Sequence, residues 1–435
     1  MNRLTTISMA VAVALAAASA AAQTAKGPQQ VVKPPVAQAW MDVATFAGMG
    51  MPMGGGSPMN MMGAMFGGGG GPNTFGMTQA ASAGRYVDVT LYTSRNSNLA
   101  EALQSVPPGT QLAPTLRLVS PVEQKGKPVR PDDDSVDQPE YERPKGKMLL
   151  YWGCGEAVRP GQPRVVDFAT AAPADFQKFF VARRATQRGA HAAVGRPHWP
   201  SRDDTRMVPA EASLVGEHGF TGQGVPEGFR FSIPAAQDLM PAIELAQREA
   251  GGATVLEWKA LPTARAYFIA AMGAREGAGG GDGAEIVFWT SSEEPDTGSG
   301  LVDYQTNAAV DRWLREKVLL APSATTCAVP KGIFGEGAML RMIAYGSELN
   351  LAHPPRPTDP KIAWEPQWAV KVRVKSVAST MLGMDMGAMG GGRAGQRAPA
   401  SEPADGQKEA AKEPQKKDEN RMPGAVDILR GILGR

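Results

Sequence analysis

The sequence has little of several residue types that are common in catalytic sites and in nucleic-acid-binding proteins. Its 435 residues include only four histidines and two cysteines, and aromatic residues make up 6%. Lys and Arg total 45 against 43 Asp and Glu, which gives a formal net charge of +2. A charge so close to zero supplies no broad positive field for a polyanion. We therefore expect no nucleic-acid partner.

Familiar catalytic motifs are missing as well. No histidine stands three or four residues from another histidine or from a cysteine, which excludes the usual zinc spacings. The chain also lacks a Gly-x-Ser-x-Gly motif and a phosphate-binding glycine loop that ends in Lys-Ser or Lys-Thr. We expect no cofactor and favour a non-enzymatic protein.

One enzymatic alternative stays open, because sequence spacing does not show which carboxylates meet in space. Glu217-His218 is an acid–histidine pair in a Gly-rich stretch, and Asp167 and Glu348 are further candidates. Two carboxylates about 5 to 9 Å apart in a cleft would suit a hydrolase of envelope polymers.

Long apolar runs are rare, and the one at the N-terminus is short. A largely apolar run from Ile7 to Ala18 follows Arg3 and leads into small residues that end at Ala22. This pattern is typical of a secretory signal peptide, and we expect cleavage after Ala22. No later segment reaches the length of about 18 to 20 apolar residues that spans a bilayer. We therefore expect a periplasmic or secreted protein with no transmembrane segment in the mature chain.

The expected compartment determines how the two cysteines are interpreted. Export to an oxidising environment favours a disulfide between Cys154 and Cys327, which would join the two halves of the chain. Two free buried thiols are the alternative.

The composition divides the chain into unlike segments. The Gly/Met-rich stretch has no helical or strand periodicity, and the charged stretch near the C-terminus is too polar to bury a core. We predict a signal peptide at 1–22, a flexible Gly/Met-rich segment at 23–84, a β-rich domain at 85–235 with a charged insertion at 123–147, a second β domain at 236–380, a disordered linker at 381–421 and a short amphipathic helix at 422–435.

The methionines suggest a second alternative function. Thioether sulfur is a soft ligand that selects Cu(I), and Met-x-Met spacing brings neighbouring sulfurs onto one ion. The candidate copper ligands are Met49, Met51, Met53, Met59, Met61 and Met62.

Alternating apolar and polar residues predict strands through both β domains. The clearest examples are Tyr86–Tyr92, Met148–Trp152, Thr254–Trp258, Glu285–Thr290 and Ala369–Val374. Helices are predicted at 174–188 and 311–318. The chain is thus expected to be mainly β.

One stretch resembles a known family. Leu256 and Trp258 end a strand, Pro262 follows in a turn, and Tyr267 stands near the start of the next strand. This pattern is similar to the B to C region of fibronectin type III and related immunoglobulin-like sandwiches. The resemblance implies a sandwich over roughly 250–375 with a helical insertion near Trp313, and it implies core packing of the Trp and Tyr with no chemistry.

Our leading hypothesis is an exported binding or structural protein of the bacterial cell envelope, whose partner is an envelope protein or a polysaccharide. Polar, Pro-rich loops are favoured as the binding surface, because ordered loops carry function more often than strands do. The residues predicted to form that surface are Trp199, Tyr345, Glu348, Asn350, Trp364 and Trp368.

Overall fold

The computed structural model describes residues 30–48, 72–79, 82–122, 146–180, 183, 189–276, 284–335 and 337–383. These residues form a mainly β structure, which confirms the predicted class. The predicted signal peptide, the six candidate copper ligands, nearly all of the charged insertion, the linker beyond residue 383 and the C-terminal helix lie outside the described residues.

The strands and helices alternate with short turns and a few longer loops. The elements up to residue 235 are β1 (Ala37–Gly48), β2 (Gly84–Thr93), β3 (Glu101–Ser105), β4 (Thr115–Val119), β5 (Gly146–Trp152), β6 (Arg164–Asp167), α1 (Pro173–Phe179), β7 (His198–Trp199), β8 (Gly216–Gly222) and β9 (Arg230–Ile233). The later elements are β10 (Leu245–Ala250), β11 (Ala253–Trp258), β12 (Ala266–Glu276), β13 (Ala284–Thr290), α2 (Asn307–Arg315), β14 (Thr326–Val329), β15 (Ala338–Tyr345), β16 (Leu349–His353) and β17 (Trp368–Leu382).

Fourteen of the described strands form one open, mixed sheet. Its order is β6-β5-β13-β12-β15-β17-β1-β2-β7-β4-β3-β8-β9, and β16 also pairs with β17. β5 pairs in parallel with β13, and β1 pairs in parallel with β17. Strands from both predicted domains therefore hydrogen-bond to each other in the same sheet.

The long strand β1 lies within the segment that the sequence predicts to be flexible, and this part of the prediction is wrong. β1 pairs with β17 from Ala37 to Gly48 and with β2 on its other side. Its side chains are buried on both faces, so its sequence shows no alternation of apolar and polar residues. Composition alone therefore gave no strand signal there.

The described helices are shorter than or offset from the predicted ones. α1 ends at Phe179, and most of the remaining predicted helix lies outside the described residues. α2 begins earlier than predicted because the Thr306 side chain accepts a hydrogen bond from Ala309 N and caps the first turn. Val310 and Trp313 of α2 are buried and cover one face of the sheet.

The remaining three described strands form a small sheet, β10-β11-β14, which packs against the other face. Cys154 follows β5 of the large sheet and Cys327 lies on β14, and the two form a disulfide with Cα atoms 5.1 Å apart. The predicted pairing is confirmed. Trp258 and Tyr267 are both buried with ring centroids 5.7 Å apart, on β11 and β12 of different sheets. The fibronectin type III resemblance itself stays a prediction.

Candidate functional site

The carboxylates of the hydrolase alternative do not share a site. Asp167 is on β6 and Glu217 is on β8, near opposite ends of the strand order. Glu217 is exposed and lies 3.3 Å from Arg230. Glu348 is buried and its Oε1 lies 3.1 Å from Lys371 Nζ on β17. Each acid thus has its own surroundings, and the three do not line a common cleft.

His218 has a structural position beside a small apolar cavity lined also by Met41 and Trp199. Its Nε2 is 2.7 Å from Leu214 O and its Nδ1 is 3.3 Å from Gln104 Nε2. Burial lowers the pKa of His218. A neutral ring that donates from Nε2 and accepts at Nδ1 satisfies both contacts, and no nitrogen is left for catalysis.

Four of the six residues predicted for a ligand surface are in the interior: Trp199, Tyr345, Glu348 and Trp368. Trp199 is 0% exposed, Tyr345 2% and Trp368 7%. Trp199 Nε1 donates to Asp204 Oδ2 at 2.8 Å, and the Trp368 ring stacks on Phe229 at 4.8 Å. The three aromatic side chains build the core, so a ligand surface does not include them.

Glu348 and the two predicted residues that are not buried, Asn350 and Trp364, lie near β16 and the loop that follows it. Glu348 is buried and accepts a hydrogen bond from Asn350 at 2.6 Å. Asn350 is exposed, and Trp364 is partly exposed with its Nε1 donating to Pro354 O at 2.9 Å. Of the six predicted residues, Trp364 is therefore the one that lies beside exposed apolar residues.

Exposed apolar residues lie next to Trp364 in the backbone, since Val32 forms a β-bridge with Trp364 and Ile362 precedes it by two residues. Val31 is 61% exposed, Val32 50% and Ile362 54%. Trp364 N donates to Val31 O at 2.8 Å, and Lys33 N donates to Trp364 O at 2.9 Å, so the N-terminal segment runs beside the loop. We call Val31, Val32, Ile362 and Trp364 the Trp364 surface.

Gln30 joins the N-terminal segment to the loop that carries this surface. Its Nε2 donates to the carbonyl oxygens of Pro357 at 3.2 Å, Asp359 at 3.4 Å and Ile362 at 2.9 Å. Its Oε1 accepts from Arg356 Nε at 2.6 Å, and the Arg356 guanidinium lies 5.6 Å from the Trp364 ring. A loop that is already ordered loses little further entropy when it binds a partner.

The chemistry of the Trp364 surface suits association rather than catalysis. Its centre is aliphatic and aromatic, and Lys33 and Glu365 form an exposed ion pair beside it at 2.7 Å. An apolar centre with a charged rim is the usual composition of a protein interface. Sequence reasoning missed Val31, Val32 and Ile362 because the short Pro-containing segments around them show no strand or helix period.

The second notable feature is a set of charged side chains beneath the surface, on the sheet face that α2 covers. Its members come from β1, β2, β17 and the loop before α2. We call this set the buried charge cluster: Asp42, Asp88, Arg373 and Lys375, which are buried, and Asp303, whose side chain is 29% exposed.

The closest pair in this cluster joins β1 to β17. Arg373 Nε and Nη2 donate to the two Asp42 carboxylate oxygens at 2.6 and 2.5 Å. Asp42 Oδ2 also accepts from Ala190 N at 3.0 Å. A Cβ atom at Gly189 would overlap the Arg373 guanidinium, so only glycine allows the chain to pass so closely over this pair.

Lys375 is fully buried beside the same pair. Its Nζ lies 3.0 Å from Asp303 Oδ1 and 4.2 Å from the centroid of the Tyr304 ring. Burial lowers the pKa of Lys375 to about 8, while the charge of Asp303 opposes that shift. Ion pairing and the aromatic ring thus compensate a cation that has no contact with water.

Asp88 anchors the segment that precedes β2. Its Oδ1 accepts from Gly76 N at 3.0 Å, and its Oδ2 accepts from Thr78 N at 3.3 Å and from the Thr78 hydroxyl. Burial raises the pKa of Asp88 to about 6, and the hydrogen bonds from Thr78 and Gly76 oppose the rise. Asp88 and Asp42 are register neighbours, but both are 2% exposed, so this acid pair faces no substrate cleft.

The raised pKa of Asp88 predicts a specific pH dependence of stability. The folded chain holds the Asp88 proton with a pKa of about 6, whereas the ordinary value is 3.8. The protonated Asp88 carboxyl therefore stabilises the fold fully well below pH 3.8, and this stabilisation is lost as the pH rises through 6. Between pH 4 and 7.5, the free energy of unfolding of the wild-type chain should fall by about 2.5 kcal/mol relative to that of Asp88→Asn.

Urea unfolding at a series of pH values measures this difference. The exposed Asp359→Asn is the matched control, and its profile should run parallel to that of the wild type. Parallel profiles for wild type and Asp88→Asn would show that Asp88 titrates normally.

Among the described residues, no helix is long and apolar enough to cross a membrane. The same part of the chain holds no group of three or more His, Cys, Asp or Glu side chains arranged to bind a metal ion. Comparison with family models finds no match to this chain, and comparison with curated proteins finds none either.

Proposed function

We propose that this chain is an exported, non-enzymatic binding protein of the bacterial cell envelope, and that its Trp364 surface contacts an envelope protein. The observation that carries the proposal is an ordered apolar surface whose three aliphatic side chains are at least half exposed. Exposed apolar groups that are clustered and held in place mark interaction sites more often than isolated ones do.

The composition of the surface favours a protein over a polysaccharide. Sugar-binding sites rely on open aromatic faces, but Arg356 lies over the Trp364 ring and the indole N–H is already bonded to Pro354 O. Val31, Val32 and Ile362 offer aliphatic area instead. Such area suits the apolar side chains of a protein partner.

Two further observations support export. The N-terminal sequence has the pattern of a cleavable signal, and the Cys154–Cys327 disulfide is a bond that persists in oxidising compartments. Protein purified from the periplasmic fraction should begin at Gln23, and a chain that retains Met1 there would contradict the proposed cleavage.

The binding role is tested by affinity capture from an envelope extract with three forms of the full mature chain. The forms are the wild type, the double variant Val32→Asp/Ile362→Asp, and Val165→Asp. Val165 is 48% exposed on β6 at the far edge of the sheet, so its variant is the matched control.

We expect the wild type and Val165→Asp to capture the same protein in similar amounts. The double variant should capture at least about tenfold less of it. Circular dichroism of all three forms checks that the fold is intact. Equal capture by the three forms would refute the Trp364 surface as the binding site. Capture that survives protease but not glycosidase treatment of the extract would identify a polysaccharide partner instead.

A further inference from the structure

The strand β16 has one open edge among the residues that the structure describes. It pairs with β17 from Leu349 to His353 and with no other described strand. Apart from that pairing, the backbone groups of residues 350–352 make no hydrogen bond within the described part of the chain. Asn350 and His353 are exposed, and the rest of β16 is partly exposed. An open strand edge offers a row of N–H and C=O groups to another chain.

The hydrogen bonds of β17 show which way its backbone groups point. Gly346 N donates to Val374 O at 2.9 Å, so the backbone groups of Val374 face the side of β17 on which β15 and β16 lie. Backbone groups alternate between the two sides of a strand, so those of Val372 and Val370 face the same side. β16 is opposite both residues, and its hydrogen bonds to β17 are made there.

The same alternation applies to β16. Leu349 and Leu351 are opposite those two valines, so they are the hydrogen-bonded positions of the pair. The backbone groups of Asn350 and Ala352 therefore point away from β17, toward the open edge. Each of these two residues has one N–H donor and one C=O acceptor available to an added strand.

The two faces of β16 differ in chemistry. Leu349 and Leu351 are partly exposed and pack against the large apolar core. On the opposite face, Asn350 Nδ2 donates to Glu348 Oε1 at 2.6 Å, and the same oxygen lies 3.1 Å from Lys371 Nζ. Glu348 is 8% exposed, and its second oxygen, Oε2, is inaccessible to water and has no hydrogen-bonding partner. A buried carboxylate oxygen of this kind is rare unless a donor from outside the described chain satisfies it.

β16 leads directly into the Trp364 surface. Pro354 follows the strand, and its carbonyl oxygen accepts a hydrogen bond from Trp364 Nε1 at 2.9 Å. The open edge and the exposed apolar residues are therefore neighbouring features. One extended segment that pairs with β16 would continue toward the Trp364 surface.

We propose that a partner protein adds an extended segment to β16 as a further strand. The segment hydrogen-bonds to the outward backbone groups of Asn350 and Ala352, and one of its hydroxyl, amide or amino side chains donates to Glu348 Oε2. The exposed Asn350 side chain rotates away to admit that donor. In strand addition the main chain supplies affinity, and alternate side chains supply specificity. This mode of binding rests on the proposed function only in taking a protein as the partner.

The test uses peptides instead of an envelope extract, so that strand addition and the proposed function can fail separately. A phage-displayed library of random decapeptides is selected on the full mature wild-type chain. The most enriched peptide is synthesised, and fluorescence polarisation measures its affinity for the wild type and for Ala352→Pro. Proline at position 352 removes an outward N–H and no hydrogen bond to β17, so the strand is retained.

Ser232→Pro is the matched control at the far edge of the large sheet. Ser232 is exposed on β9, whose other side pairs with β8. Phe220 N donates to Phe229 O, and the alternation from Phe229 directs the Ser232 N–H away from β8. Both variants therefore place a proline at an outward position of a strand edge.

The peptide should bind Ala352→Pro at least about tenfold more weakly than it binds the wild type and Ser232→Pro. Equal affinities for the wild type and Ala352→Pro, or no enriched peptide, would overturn strand addition. The double variant Val32→Asp/Ile362→Asp should retain at least part of the peptide binding, because β16 is unchanged. If that variant also captures the envelope protein normally, the Trp364 surface is refuted while strand addition stands.

Backbone N-methylation of the peptide covers the case in which Ala352→Pro does not fold. A methyl group on a residue whose N–H faces β16 blocks pairing, whereas one on the next residue points away from β16. Affinity for the wild type should therefore fall at least about tenfold at alternate peptide positions and stay unchanged between them. Losses without this two-residue period would overturn strand addition.

Hydrogen exchange of the wild type distinguishes a partner from the other possible occupants of the edge. The amides of Asn350 and Ala352 should exchange rapidly in the free chain and at least several-fold more slowly with the peptide bound. Slow exchange in a free monomer would assign the edge to another segment of this chain. A wild-type dimer in light scattering that Ala352→Pro disperses would assign it to a second copy. Either result would overturn the partner segment.

Discussion

Replacing Arg373 with methionine should lower the free energy of unfolding by about 3–5 kcal/mol, because it leaves the Asp42 carboxylate buried without its cation. Both side chains are almost completely inaccessible, at 4% and 3% exposure, so water cannot take the place of the guanidinium. The pair also joins β1 to β17 at the centre of the large sheet. Urea unfolding followed by tryptophan fluorescence measures the loss.

A double variant separates the unpaired charge from other effects of the substitution. Asp42→Asn/Arg373→Met removes both charges and leaves an amide oxygen that can accept from Ala190 N, so it should be clearly more stable than Arg373→Met alone. The exposed pair of Arg248 and Glu257 supplies the control, and Arg248→Met should cost no more than about 1 kcal/mol. Equal losses in the single and double variants would show that the ion pair does not carry the effect.

Removing the disulfide should produce the second large loss. The double variant Cys154→Ser/Cys327→Ser should unfold with a free energy about 2–5 kcal/mol lower than the wild type, because the bond links residues separated by 173 positions and restricts the unfolded chain. The bond also fastens the small sheet to the large one, since Cys327 lies on β14 and Cys154 follows β5. Urea unfolding with and without reductant gives the same comparison on the wild type.

The double serine variant also controls for other effects of the reductant. It has no disulfide to reduce, so reductant should not change its unfolding. Alkylation without reductant, followed by intact mass measurement, establishes whether the bond is present in the sample. Two alkylated cysteines in protein from the periplasm would refute the disulfide. An oxidised wild type that unfolds at the same urea concentration after reduction would refute its contribution to stability.

Much of the strand pattern follows from local sequence. Thr254–Trp258, Glu285–Thr290 and Met148–Trp152 were each predicted from apolar periodicity, and each is a strand within one or two residues of the predicted bounds. Periodicity succeeds there because side chains of a strand point alternately to its two faces. It fails at Gly216–Gly222, where the Gly-rich stretch around Glu217 and His218 shows no strand alternation but backbone pairing with β3 and β9 makes β8.

The candidate surfaces were harder to predict because exposure is a property of the assembled fold. Trp199 and Trp368 stand near prolines or histidines and were expected at the surface, yet neighbouring elements cover both. Ile362 has no sequence signal except its place in a Pro-rich loop, and it is 54% exposed. Which apolar residues remain uncovered depends on how segments distant in the sequence pack.

By itself the sequence determined the β class, most strand positions, the residues available for the disulfide and the pattern of an N-terminal signal. Only the tertiary structure decided that strands from both halves share one sheet, because pairing partners such as β1 and β17 are more than 300 residues apart. The alternation of β17 shows the contrast most clearly: it predicts two faces, one apolar and one charged. Whether Arg373 and Lys375 on the charged face meet water depends on the loop before α2, whose Tyr304 lies over both, and on the chain at Gly189, which passes over Arg373.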